Sequence, residues 1–98
     1  MTIEKNQNGT ELTMILNGRL DTTTAPMLEA EIKSSLGDIS ALKMDFTGLQ
    51  YISSAGLRVL LSAQKIMNKQ GKMVVFGANE TVMEVFEITG FSDILTIE

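Results

Sequence analysis

The chain of 98 residues has no cysteine, no histidine and no tryptophan, and only one proline and one tyrosine. Without cysteine there is neither a disulfide framework nor a thiolate nucleophile; without histidine there is no imidazole base, and zinc loses both of its usual soft and nitrogen ligands. Chemistry is left to hydroxyls, carboxylates and amines, and neither an enzyme activity nor a cofactor is expected. Lys and Arg number only eight against twelve Asp and Glu, for a formal charge of −4. Binding to phosphodiester backbones needs a clustered basic surface, so nucleic acid is not an expected partner. Met1 to Lys5 lacks the apolar core of a signal peptide, and the longest strongly apolar run, Met73 to Phe76, is far too short to cross a bilayer. The expectation is a cytoplasmic protein with no membrane partner. What is present is 44% apolar and 20% charged residues, a balance that supports one domain over residues 1–98 with its own core.

Periodicity then divides the chain. Asn8-Gly9 between extended segments predicts a hairpin, with Ile3 in a first short strand and Leu12, Met14 and Leu16 alternating along a second over Glu11 to Asn17. Asp21, Thr22, Thr23 and Thr24 offer helix caps before Pro26, and Leu28, Ile32 and Leu36 recur every fourth residue up to Gly37. Leu42, Met44 and Phe46 alternate as a third strand, followed after Thr47-Gly48 by Leu49-Gln50-Tyr51-Ile52. A second helix is predicted from Ser53-Ser54 to Gly71, with Leu57, Leu60, Leu61 and Ile66 inward and Arg58, Gln64, Lys65 and Asn68 outward. Lys72 to Phe76 reads as a fourth strand. Asn79 caps a third helix through Val82, Val85, Phe86 and Ile88, which ends at Gly90, and Ile94 to Ile97 reads as a last short strand. The order implies an α/β fold: a mostly parallel sheet with an antiparallel hairpin strand at its start. Right-handed crossovers laid down in one direction place the helices mainly on one face. Polar Thr13, Asn17, Lys43 and Asp45 at alternate strand positions suit a second face left open to water.

The segment Tyr51-Ile52-Ser53-Ser54-Ala55-Gly56-Leu57-Arg58 lies where a strand turns into a helix, the place where open α/β sheets build their sites. Ser53 or Ser54 falls at the helix N-terminus, whose free N–H groups and positive dipole end favour an anion. A phosphoserine would be tolerated there. The plainer reading is a serine cap, worth about 1 kcal/mol. A hydrolase nucleophile is excluded by the missing histidine and the absence of Gly-x-Ser-x-Gly, and no phosphate-binding glycine loop occurs.

The stretch from Asp45-Phe46-Thr47-Gly48 through Tyr51-Ile52-Ser53-Ser54-Ala55-Gly56-Leu57-Arg58 to Leu61 resembles the central motif of the STAS family, the anti-sigma factor antagonists. Gly18-Arg19-Leu20-Asp21 is similar to its first loop motif and Gly71-Lys72-Met73-Val74-Val75-Phe76-Gly77 to its fourth strand. The resemblance implies the STAS fold and a switch by partner exchange. The unmodified protein binds an anti-sigma factor that is also a serine kinase of the histidine-kinase-like ATPase type, so that the sigma factor is released. Phosphorylation ends the interaction, and a PP2C-type phosphatase restores it. Matched by position, Ser54 is the phosphoacceptor, in a neighbourhood of Asp21, Ser53, Ala55 and Gly56. The expected partner surface comprises Thr22, Tyr51, Leu57, Arg58 and Lys65. The family's regulatory members usually carry Asp before the phosphoserine; here that place is Ser53, which removes a charge and adds a second hydroxyl. The alternative is a scaffolding module in which Ser54 only caps the helix.

Overall fold

Turn chemistry and alternation build the first hairpin. In the computed structural model, which describes residues 1–98, β1 (Thr2–Asn8) runs antiparallel to β2 (Glu11–Leu20). The loop is Gly9-Thr10, one residue later than Asn8-Gly9, and Gly9 has φ 62, as a type II′ turn asks of its first central residue. Leu12, Met14, Leu16 and Leu20 are buried on one side of β2, while Thr13 and Ile15 face the other. The helix α1 (Ala25–Ser35), with Pro26 in its first turn, leads into β3 (Ala41–Ile52). The helix α2 (Ser54–Gln70) then leads into β4 (Lys72–Phe76). The sheet order is β1-β2-β3-β4, with β2, β3 and β4 parallel. Successive right-handed crossovers in one direction set α1 and α2 on the same face. The core of 24 residues, including Met14, Met44 and Met73, lies between that face and the helices. The expected α/β sheet with one covered face is the fold of this chain.

β3 departs from the expected break at Thr47-Gly48. It continues to Ile52, because two register shifts against β2 each place one extra residue on β3. Between them the buried positions fall at every third residue, Phe46, Leu49 and Ile52, so all three point into the core despite lying in one strand. Pairing with β4 ends at Asp45–Phe76, and beyond it the Leu49 carbonyl accepts a 3.1 Å hydrogen bond from the Asn79 side-chain amide. The same Asn79 caps α3 (Glu80–Thr89) by accepting the Val82 N–H at 2.8 Å. α3 closes at Gly90 in the left-handed region, φ 80, a conformation that suits glycine. Phe86 on α3 meets Phe46 on β3 at 6.4 Å between ring centres.

Three other expectations need correction. Ile94 to Ile97 is not a strand: a 3₁₀ turn (Phe91–Asp93) engages the N–H groups of Ile94 and Leu95 on the Phe91 carbonyl, so they cannot join a ladder, and only an isolated bridge from Ile97 to Val75 remains. Gln64 faces inward at 7% exposure, continuing the stripe Leu57, Leu60, Gln64 and Met67, while Leu61 is half-buried; Val59 and Ala63 complete the buried side. Ile88 is 84% exposed. The inner stripe of α3 is set by Val82 and Phe86, and two residues past Phe86 is a rotation of about 200°. Replacing Phe86 by Ala should therefore cost about 3–5 kcal/mol of unfolding free energy in denaturant titration. Ile88→Ser should stay within about 0.5 kcal/mol of the parent. Equal losses for the two would contradict this assignment of faces.

Candidate functional site

The extra residues in β3 deliver its end to the N-terminus of α2. Arg19 pairs with Tyr51 and Leu20 with Ile52, and the Ser53 N–H donates to the Leu20 carbonyl at 2.9 Å. Asp21 and the Ser53-Ser54 pair thus leave adjacent strands side by side. Ser53, in extended conformation, is the N-cap of α2; its hydroxyl accepts the Gly56 N–H at 3.5 Å, and its carbonyl accepts the Leu57 N–H at 3.0 Å. Ser54 is the first helical residue and is exposed, and its hydroxyl engages no protein group. The cap is therefore Ser53, and the reading in which Ser54 serves as cap is corrected. The N–H groups of Ser54 and Ala55, at the positive end of a 17-residue helix, have no intrahelical acceptor. Gly56 lets this turn sit close on the sheet, since a Cβ there would lie 2.7 Å from Leu20 Cγ and 3.0 Å from Ile52 Cγ1.

Asp21 is held by its own turn. Its carboxylate accepts the N–H groups of Thr23 at 3.0 Å and Thr24 at 3.1 Å, and the Thr24 hydroxyl lies 3.3 Å away. That hydroxyl in turn donates to the Arg19 carbonyl at 2.8 Å and accepts the Asp21 N–H at 2.9 Å. Arg19 approaches the Asp21 carboxylate at 3.8 Å and lies 4.4 Å over the Tyr51 ring. The Thr24 amide above all holds the Asp21 carboxyl below its ordinary range; desolvation, the next largest effect, opposes it, and the Thr23 amide, the Thr24 hydroxyl and Arg19 add to the lowering.

Beside Ser54 a groove of about 320 Å³ runs between α1 and α2. Thr22, Pro26 and Glu29 line one wall, and Ala55, Arg58 and Ser62 the other. Asp21, Thr22, Ser53, Ser54, Ala55, Gly56 and Arg58 are thus gathered at one end of the molecule, with Tyr51 next to Arg19. Leu57 is not part of that surface: at 5% exposure it belongs to the core. Lys65 is exposed but lies eleven residues along α2, roughly 16 Å from Ser54. Arg19 and Thr24 join the site beyond the expected residues; their sequence signals are the place of Arg19 in Gly18-Arg19-Leu20-Asp21 and of Thr24 in the run of cap residues before Pro26. No three Asp or Glu side chains converge in a way that could hold a metal ion.

This fold and this strand-to-helix site define a known class. The STAS domain pattern matches residues 2–98, and the chain belongs to that family. It is 31% identical over 101 residues to the anti-sigma-B factor antagonist of Listeria monocytogenes, covering 100% of this chain and 89% of that one. In structure it resembles an anti-sigma factor antagonist from Mycobacterium paratuberculosis, with TM-score 0.89 and 22% identity over 98% of this chain and 83% of the other. It also resembles the Bacillus cell fate determinant SpoIIAA in its phosphorylated form, with TM-score 0.77 and 17% identity over 99% and 91%. These two likenesses bear on the fold.

Because folding lowers the Asp21 carboxyl pKa, its contribution to the turn is present above the ordinary carboxylate range and fades as the pH falls through the lowered, folded value. The Thr23 and Thr24 amide resonances should titrate with a midpoint below the ordinary 3.8. In Asp21→Asn that titration should vanish. A midpoint at or above 3.8 would contradict the assigned hydrogen bonds.

Proposed function

We propose that this chain is an anti-sigma factor antagonist whose state is set at Ser54. In this reading the unphosphorylated protein binds an anti-sigma factor that is also a serine kinase of the histidine-kinase-like ATPase type, and a sigma factor is released. Transfer of a phosphoryl group to Ser54 ends that complex, and a PP2C-type phosphatase reverses it. The observation that carries the reading is the exposed Ser54 hydroxyl at the first position of α2, left free because Ser53 serves as the cap. The name of the Listeria monocytogenes relative supports the antagonist role. The phosphorylated form of SpoIIAA supports the idea that this fold accommodates a phosphate.

The chemistry favours a change of surface over a change of fold. A phosphate adds about −1.5 to −2 charges and three acceptor oxygens. At Ser54 these meet the free N–H groups and positive end of α2, which tolerate an anion. A partner seated over Thr22, Tyr51 and Arg58 would meet that charge and bulk directly. Ser53 in place of the usual Asp supplies the cap without a second negative charge beside the phosphate. In the scaffolding alternative Ser54 has no work to do, since the capping role falls to Ser53.

Incubation with such a kinase and ATP should add one phosphate, mapped by mass spectrometry to Ser54. Ser54→Ala should block incorporation and Ser53→Ala should not. Ser54→Asp should weaken binding of the unmodified-state partner by about tenfold or more, equivalent to about 1.4 kcal/mol, while Ser54→Ala binds like the parent. Incorporation that survives Ser54→Ala and is lost in Ser53→Ala would move the acceptor to Ser53. Equal binding by Ser54→Ala and Ser54→Asp would favour the scaffold.

A further inference from the structure

Charge is unevenly divided along this chain. Residues 73–98 carry five carboxylates and no Lys or Arg, whereas residues 1–72 carry eight cations against seven carboxylates. Four of the cations, Lys5, Arg19, Lys33 and Lys43, form ion pairs with Glu or Asp within the first 45 residues. None of Glu80, Glu84, Glu87, Asp93 and Glu98 is in an ion pair. On the same segment, large apolar side chains stand in water: Ile88 at 84% exposure on α3 and Ile94 at 46% just after the 3₁₀ turn. Ile88, Ile94 and Met27 are the exposed large hydrophobics of the molecule, and two of the three flank Gly90. Scattered apolar residues on a surface are ordinary; exposed isoleucines on a wholly acidic segment are a narrower combination.

We infer that the outer side of α3 and the turn after it, with Ile88 beside Glu84 and Glu87 on α3 and Ile94 next to Asp93 in sequence, is a docking surface for a basic amphipathic polypeptide segment. Burying Ile88 and Ile94 supplies apolar area, and uncompensated carboxylates attract Lys and Arg on the rim of such a segment. The same charges repel phosphates, which excludes nucleic acid and anionic lipid as occupants. A second copy is the less suitable occupant. Its free cations, Arg58, Lys65, Lys69 and Lys72, lie on α2 and the start of β4, where no large apolar side chain is exposed to cover Ile88. The surface belongs to a different element from Ser54, and its occupant is independent of the function proposed above.

The test uses the full chain, labelled with ¹⁵N, and a synthetic helical peptide of leucine and lysine at amphipathic spacing. An analogue of the same charge with every leucine replaced by serine is the control. Shift changes on adding the peptide should be confined to residues 80–95. Affinity should fall about tenfold for the serine analogue and for Ile88→Ser, a substitution expected to leave the fold unchanged. Glu84→Lys with Glu87→Lys should weaken binding most at low ionic strength, before salt shortens the screening length to roughly 3 Å near 1 M. Equal affinity for the two peptides, shifts centred on α2, or no effect of Ile88→Ser would overturn the inference. Concentration-dependent dimerisation in sedimentation that Ile88→Ser abolishes would overturn it in favour of a second copy.

Discussion

Everything at the Ser54 end of this molecule depends on how β3 crosses the core. A regular strand would turn every second side chain inward, and Phe46, Leu49 and Ile52 could not all be buried. Two extra residues opposite β2 change the local period to three, and the three side chains enter the core at 0 to 2% exposure. The bulges cost ladder hydrogen bonds to β2, while on the opposite edge, where pairing with β4 has ended, the Leu49 carbonyl is satisfied by the Asn79 side-chain amide. The result is a strand end placed against β2, so that Leu20 and Ser53 are hydrogen-bonded and Gly56 rests on Leu20 and Ile52.

That placement separates two roles which the sequence runs together. Ser53 is committed to the helix as its cap, and Ser54, one residue on, is relieved of structural work. In the neighbouring loop the charged side chains are already partnered: the Asp21 carboxylate by Thr23 and Thr24, and Arg19 by Asp21 and Tyr51. In the proposed reading, a phosphate gained or lost on this hydroxyl leaves the cap undisturbed and acts through surface chemistry, with the fold as a constant platform.

The sheet order, the helix faces of α1 and the core methionines were legible because simple alternation and the four-residue spacing held there. Legibility failed where one residue satisfied two demands. Thr47-Gly48 reads as a loop, since a run that is apolar at every third position matches neither strand nor helix period; only pairing with β2 makes it a strand. Gln64 reads as outward by polarity, but its spacing from Leu60 and Met67 sets it inside, where its amide donates to Asn68. Ile88 reads as core by composition alone. The site was legible as a segment, Tyr51 to Arg58 with Asp21. The division of labour between Ser53 and Ser54 depends on backbone angles that residue types do not reveal, while Leu57 is inward by its helix spacing, and its place in the expected partner surface goes against that spacing.

The central claim is that Ser54 can carry a phosphate on an unchanged fold, taking the formal charge from −4 to about −5.5 to −6. Amide spectra of the unmodified and Ser54-phosphorylated protein test it most directly. We predict shift changes confined to residues 19–24 and 50–60, with those of β1, β4 and α3 unmoved. Changes spread through the sheet and α3 would contradict it, and would mean that the phosphate acts by remodelling the fold.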